Sequence, residues 1–201
     1  MLQRMLTEIR IAGFGGQGVI LAAAVIGKAA AIFQDGYAAM TQNFGPEARG
    51  GSSSAQVILS TEPILYPYIT QPDVLVVMSQ EAYGLFAPQL KDEGTLIIEE
   101  DLVRIGELPA GVRVYSVPAT RIAEELGKKM VLNIVMVGFF GAITQVVERE
   151  ALRNAVGDSV PPAYRELNLK AFDRGFEYGV KELTEVIVKQ ESEVAVAALE
   201  N

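Results

Sequence analysis

The sequence contains no cysteine and no histidine. That absence removes thiol nucleophiles, imidazole general bases, disulfides, cysteine-ligated iron–sulfur clusters and ordinary zinc sites, because each needs a thiolate or an imidazole. Redox or acid–base chemistry near this chain has to be carried by something else, and we assign it no catalytic residue and no metal ligand. Long hydrophobic runs are also missing. The longest, Val131 to Val147, is interrupted by Asn133, Thr144 and Gln145 and falls short of a membrane span. Met1 to Thr7 lacks the apolar core of a signal segment, so a cytoplasmic protein without membrane contact is expected. Positive charge is scarce: 17 basic side chains stand against 25 acidic ones, for a net charge of −8. Residues 1–60 carry four basic and three acidic groups, and residues 61–201 carry thirteen and twenty-two. The amino-terminal end is therefore the one that tolerates an anion, and no basic face exists for a nucleic acid partner.

What is present is ample apolar material. Half of the 201 residues are hydrophobic, enough to bury the core of one domain. Short apolar runs alternate with helical stretches, which predicts an α/β fold. Strands are expected at Glu8–Gly13, Gly36–Thr41, Val74–Met78, Thr95–Glu99 and Val112–Val117. VLVVM (Val74–Met78) is apolar at every position, as a parallel strand covered by helices on both faces should be. Helices are expected at Gly16–Phe33, after the cap Ser79, and at Ala119–Leu126, Asn133–Val147 and Glu148–Val156. Beyond the breaker Val160-Pro161-Pro162, residues Leu169, Phe172, Phe176, Leu183 and Ile187 form one stripe of a long helix that should pack back on the sheet. The domain is drawn as residues 1–190, with 191–201 as a C-terminal tail.

The stretch RIAGFGGQGVI (Arg10–Ile20) runs a strand into four glycines within six residues. Gly13, Gly15 and Gly18 satisfy GxGxxG between a strand and a helix, the context in which that pattern has weight. Glycine permits the tight turn and lets backbone N–H groups approach a phosphate, and a helix N-terminus favours negative charge. The other reading is that any tight strand-to-helix connection favours glycine. The nicotinamide form of the motif needs an acid at the end of the second strand for the ribose hydroxyls. Here that strand ends near Met40-Thr41-Gln42, and Asp35 precedes it, so a different phosphate-bearing ligand fits better. TQNFGPEARGGSSS (Thr41–Ser54) reads as a long polar loop at the same sheet edge. Its Arg49-Gly50-Gly51, followed by Ser52, could hold a phosphate or carboxylate, or could be a plain surface turn. Glu99-Glu100-Asp101 reads as a solvated strand end. Gly175 and Gly179, four apart on the long helix, suggest close packing. PILYPYITQPD (Pro63–Asp73) is either a connection or a docking surface.

These segments together resemble the gamma subunits of the 2-oxoacid:ferredoxin oxidoreductases, most of all the 2-oxoglutarate branch. The resemblance rests on IRIAGFGGQGV (Ile9–Val19), TQNFGPEARGGSSSAQVILS (Thr41–Ser60), PDVLVVMSQEAY (Pro72–Tyr83), KKMVLNIVMVG (Lys128–Gly138) and LNLKAFDRGFEYG (Leu167–Gly179), nearly the whole chain. GFGGQG alone is shared with the indolepyruvate enzymes; Gly-Pro-Glu-Ala-Arg-Gly-Gly is the distinguishing segment. The resemblance implies a single Rossmann-like domain with a mostly parallel sheet flanked by helices. It also implies a multisubunit enzyme that converts a 2-oxoacid to an acyl-CoA and passes electrons to ferredoxin. Thiamine diphosphate and magnesium would sit on alpha and beta partners and iron–sulfur clusters on a ferredoxin-like delta subunit, and the isolated chain would be inactive. By the same resemblance this chain helps bind coenzyme A through Gly13, Gly15, Gly16, Gln17 and Gly18, with Arg49, Gly50, Gly51 and Ser52 on its anionic groups and Asn43 and Asn133 as further contacts. Two other classes remain open. One is a self-sufficient nucleotide-dependent enzyme using Glu81, Glu47 or Lys129 as proton carrier, and the other is a scaffold whose glycine loop is merely tight. Within the family, a pyruvate, branched-chain or indolepyruvate enzyme is the alternative.

Overall fold

A computed structural model describes residues 6–44 and 51–199. Six strands form one sheet: β1 (Leu6–Phe14), β2 (Tyr37–Phe44), β3 (Ser52–Ser60), β4 (Val74–Val77), β5 (Thr95–Glu99) and β6 (Arg113–Val117). Their order is β2-β3-β1-β4-β5-β6. The β1–β4, β4–β5 and β5–β6 pairs are parallel, whereas β3 runs antiparallel to both β1 and β2. The sheet is thus mostly parallel, as expected.

The strand β3 corrects the reading of Thr41–Ser54 as one polar loop. β2 continues through Thr41, Gln42 and Asn43, and Ser52 to Ser54 already pair with Phe14, Gly13 and Ala12 of β1. Serine and glutamine hid this strand, but its register is regular. Ala55, Val57 and Leu59 join the main core while Gln56 stands on the other face. β2 also starts one residue later than expected, at Tyr37, and ends three residues later.

The helices are α1 (Val19–Ile32), α2 (Gln80–Phe86), α3 (Ala119–Glu125), α4 (Leu132–Thr144), α5 (Arg149–Ser159) and α6 (Pro162–Leu199). The larger core gathers Ile9 and Ile11 of β1 with apolar groups of α1, α3, α4, α5 and α6. On the opposite face, Ala12, Leu75 and Val77 pack against Ala82 and Tyr83 of α2. α4 is apolar all round and buried at ten positions, so it sits between the sheet and α6. The long helix therefore packs on α4 rather than directly on the sheet, which it meets at β6. Gly138 of α4 lies against the carbonyl of Phe172, and Gly175 of α6 against the carbonyl of Val135. A Cβ at either position would enter backbone, so Gly175 serves helix–helix packing, as expected. α6 begins at Pro162, where a missing N–H costs nothing, and continues to Leu199, through most of the segment expected as a tail. No helix among the described residues is long and apolar enough to cross a membrane.

Candidate functional site

The chain turns at the carboxyl end of β1, where the helices divide: α1 lies on one face and α2 on the other. Between β1 and β4 this is the crevice in which open α/β sheets bind ligands. The loop Phe14–Gly18 closes on itself there. Gln17 N donates to Phe14 O at 3.1 Å. The Gln17 side chain accepts from Phe14 N at 2.6 Å and donates to Met78 O at 2.8 Å, tying the loop to the end of β4. Gly16 at φ 97° and Gly18 at φ 75° hold the left-handed conformations the turn needs.

Gly18 is the N-cap of α1, and no side chain caps the helix. The first helical bond is taken by Ala22 N, which donates to Gly18 O at 2.9 Å. The amides of Val19, Ile20 and Leu21 therefore point past the helix end with no intrahelical acceptor, and the helix field favours an anion there. Asn133, buried at the start of α4, donates its Nδ2 to Gly18 O at 3.2 Å and fills the space a Cβ on Gly18 would need. It sets the helix terminus from behind.

Gly51 O accepts from Gly15 N at 2.8 Å, and Ser52 pairs with Phe14. The glycine loop, Gln17, Gly51, Ser52 and Asn133 thus form one constellation. Asn43 lies on β2 opposite Ser54, one strand further out, and is a strand residue rather than a loop residue. Arg49, Gly50 and Glu47 lie outside the described residues.

The insertion of β3 has a chemical consequence. In a nicotinamide site the second strand lies beside the first and carries the ribose-binding acid at its carboxyl end. Here β2 is two strand spacings from β1, about 10 Å, and ends in Gln42-Asn43-Phe44. Asp35 precedes β2, at its opposite end.

Glu99 corrects another expectation. It is fully buried, and its carboxylate accepts from the backbone N–H groups of Asp101 at 2.9 Å, Leu102 at 2.8 Å and Thr120 at 2.9 Å. It joins the end of β5 to the start of α3 and is not a solvated strand end; Glu100 and Asp101 do face solvent and pair with Arg121. Among the described residues, the proton carriers of the self-sufficient reading find no enclosed site: Glu81 is exposed on α2, and Lys129 pairs with Glu124 at the surface. A cavity of about 300 Å³ between Lys91, Arg113 and Thr144 opens at the amino edge of the sheet, the far end from the glycine loop. Its Lys91 is engaged by Glu8 and Asp73. The glycine loop itself is open, with Phe14, Gly15 and Gly16 exposed.

The pyruvate ferredoxin/flavodoxin oxidoreductase model matches residues 8–178. The chain belongs to that family. It is 45% identical, over 87% of its length and 94% of the relative's, to the 2-oxoglutarate synthase subunit KorC of Methanocaldococcus jannaschii. It is 31% identical to the ketoisovalerate oxidoreductase subunit VorA of Methanothermobacter thermautotrophicus, over 85% of this chain but only 36% of that longer one. Among solved structures, the keto/oxoacid ferredoxin oxidoreductase gamma subunit of Geobacter sulfurreducens superposes with a TM-score of 0.79 at 38% identity, covering 88% of this chain and 98% of that one. These homologues are subunits of multisubunit oxidoreductases, and this family member is built as one such subunit.

Proposed function

We propose that this chain is the gamma subunit of a cytoplasmic 2-oxoglutarate:ferredoxin oxidoreductase and forms the coenzyme A side of a composite site. The observation that carries the substrate is the identity of 45% to a 2-oxoglutarate synthase subunit over nearly the full length of both, against 31% to a branched-chain enzyme. The reaction joins 2-oxoglutarate and coenzyme A into succinyl-CoA, releasing carbon dioxide and the thiol proton, with two electrons leaving for ferredoxin. Thiamine diphosphate with magnesium on partner subunits supplies the carbanion chemistry, and partner iron–sulfur clusters carry the electrons.

This chain's part is to bind and orient. The amides of Val19 to Leu21 and the α1 N-terminus suit the diphosphate of coenzyme A, and Gly16 leaves the approach open. Ser52, beside Phe14, and Arg49 would complete the anion contact. A loop that is open among the described residues supports a site that a partner closes. The test is an anaerobic assay of the assembled enzyme with a viologen dye. Turnover should require 2-oxoglutarate and coenzyme A and be absent from the isolated chain. Arg49→Ala should raise the KM for coenzyme A about 10-fold or more, as expected for a lost charge-assisted contact. Unchanged coenzyme A kinetics would remove the assignment of Arg49, and turnover of pyruvate alone would move the substrate.

A further inference from the structure

The turn Phe14-Gly15-Gly16-Gln17-Gly18 holds three glycines in five residues. Glycine restrains its own backbone least, so such a turn keeps one shape only if something outside its backbone fixes it. Phe14 is exposed, and the side chain that holds the turn is Gln17. Both ends of its carboxamide are engaged, and on two different strands. Oε1 accepts from the N–H of Phe14, the last residue of β1, and Nε2 donates to the carbonyl of Met78, just past β4. Met78 N in turn donates to Ala12 O at 2.9 Å, and the neighbouring Ser79 caps α2 by accepting from Ala82 N at 3.2 Å. The carboxamide therefore bridges β1 and β4 at the point where their chains leave for opposite faces of the sheet.

This arrangement reassigns the glycines of the motif. Gly13 does not adopt a positive φ, so its requirement is for space. A Cβ there would lie 2.5 Å from Gln17 Oε1 and 3.2 Å from Met78 Cβ, which means that the first glycine makes room for the carboxamide. In the dinucleotide-binding form of the motif the second glycine lets the backbone approach the pyrophosphate. Here the N–H of that glycine, Gly15, donates to Gly51 O, and Gln17 N donates to Phe14 O. Gly16, Gly18 and the first amides of α1 stay out of these bonds. They form the surface that an anion can reach, and Gln17 sets their direction without facing the anion itself.

We propose that Gln17 is the positioning residue of the anion site: its carboxamide holds the amides from Gly16 to Leu21 in a fixed direction before the ligand arrives. The proposal rests on the coenzyme A reading above. An amide array ordered in advance spares the ligand the cost of ordering it, so the contribution of Gln17 falls in ligand affinity.

The experiment uses the assembled enzyme and two readouts, steady-state kinetics and hydrogen exchange of residues 15–21 without ligand. Gln17→Met keeps the length of the side chain and removes both hydrogen bonds. It should raise the KM for coenzyme A about 10-fold, with kcat and the KM for 2-oxoglutarate changed by less than about 2-fold. Residues 15–21 of the ligand-free variant should exchange about 10-fold faster than in wild type. Gly13→Ala, whose Cβ would displace the same carboxamide, should reproduce both changes. A raised KM with unchanged exchange would make Gln17 a direct ligand contact and overturn the proposal. Faster exchange with an unchanged KM would make the bridge structural alone and overturn it equally, as would a loss confined to kcat. Coenzyme A added to the wild-type enzyme should protect residues 16–21. Absence of that protection would bring down the coenzyme A reading itself, whereas protection alongside a wild-type KM in Gln17→Met removes the positioning role and leaves that reading standing.

Discussion

At Gly18 two physical requirements meet on one atom. Its φ of 75° disfavours any Cβ, and that Cβ would also strike the Asn133 side chain. Gly16, at φ 97°, carries only the conformational requirement, since open space surrounds it. Gly16→Ala should therefore cost about 1 kcal/mol and Gly18→Ala about 3 kcal/mol by chemical denaturation. Adding Asn133→Ala to Gly18→Ala should return the steric part but not the conformational part, a non-additivity a double-mutant cycle reads directly. At Glu99 three backbone N–H groups converge on one carboxylate. Glu99→Gln puts a donor where only acceptors fit, and a loss of about 2 kcal/mol or more is expected in the same assay. The glycines were legible in the sequence because their spacing is local. The burial of Glu99 was not, because its donors come from two separate segments and the adjacent acids suggest solvent.

At the scale of elements, α4 and α6 approach so closely that backbone meets backbone at Gly138 and Gly175. Gly175→Ala should destabilise by about 3 kcal/mol through overpacking. Gly84, on the exposed face of α2 with nothing near it, gives the opposite sign: Gly84→Ala should gain about 0.5–1 kcal/mol of helix propensity. Calorimetry of the two variants tests whether the difference lies in the contact or in the residue type. At the amino edge Lys91 ties β1 to the start of β4. Burial opposes its charge, but the bonds it donates to Asp73 and Glu8 outweigh this, and its pKa is raised above the ordinary lysine value. The folded state thus holds this proton more tightly than the unfolded chain does. The stabilisation is complete below the unfolded pKa of about 10.4 and is lost as pH rises through the folded value. The melting-temperature gap between wild type and Lys91→Met should be constant from pH 7 to 9 and shrink above about pH 10.5.

At the scale of the molecule, the glycine turn is open among the described residues, which suits a ligand enclosed from outside. If the proposed coenzyme A contact holds in the assembled enzyme, the Arg49→Ala defect should be overcome by raising coenzyme A concentration, whereas a defect of assembly should respond to subunit concentration. Steady-state titration separates the two causes.

The α/β class, the helices and the glycine turn follow from patterns within a dozen residues: full apolarity in β4, the stripe on α6, and φ > 0 positions that glycine tolerates. Those are local constraints, and the chain declares them wherever it goes. The place of β3 is of another kind. Whether SSSAQVILS is a loop or a strand depends on whether β1, a distant part of the chain whose Leu6 pairs with Ser60 and Phe14 with Ser52, offers it hydrogen bonds in register, and its polar face gives no period strong enough to announce that. Pairing across such distances decided that β2 stands away from the crevice between β1 and β4, that Gly51 and Ser52 come to the glycine loop, and that Arg10 and Gln56 find Ile69. The reagents of the site are written in the chain; their juxtaposition comes from non-local hydrogen bonding and burial.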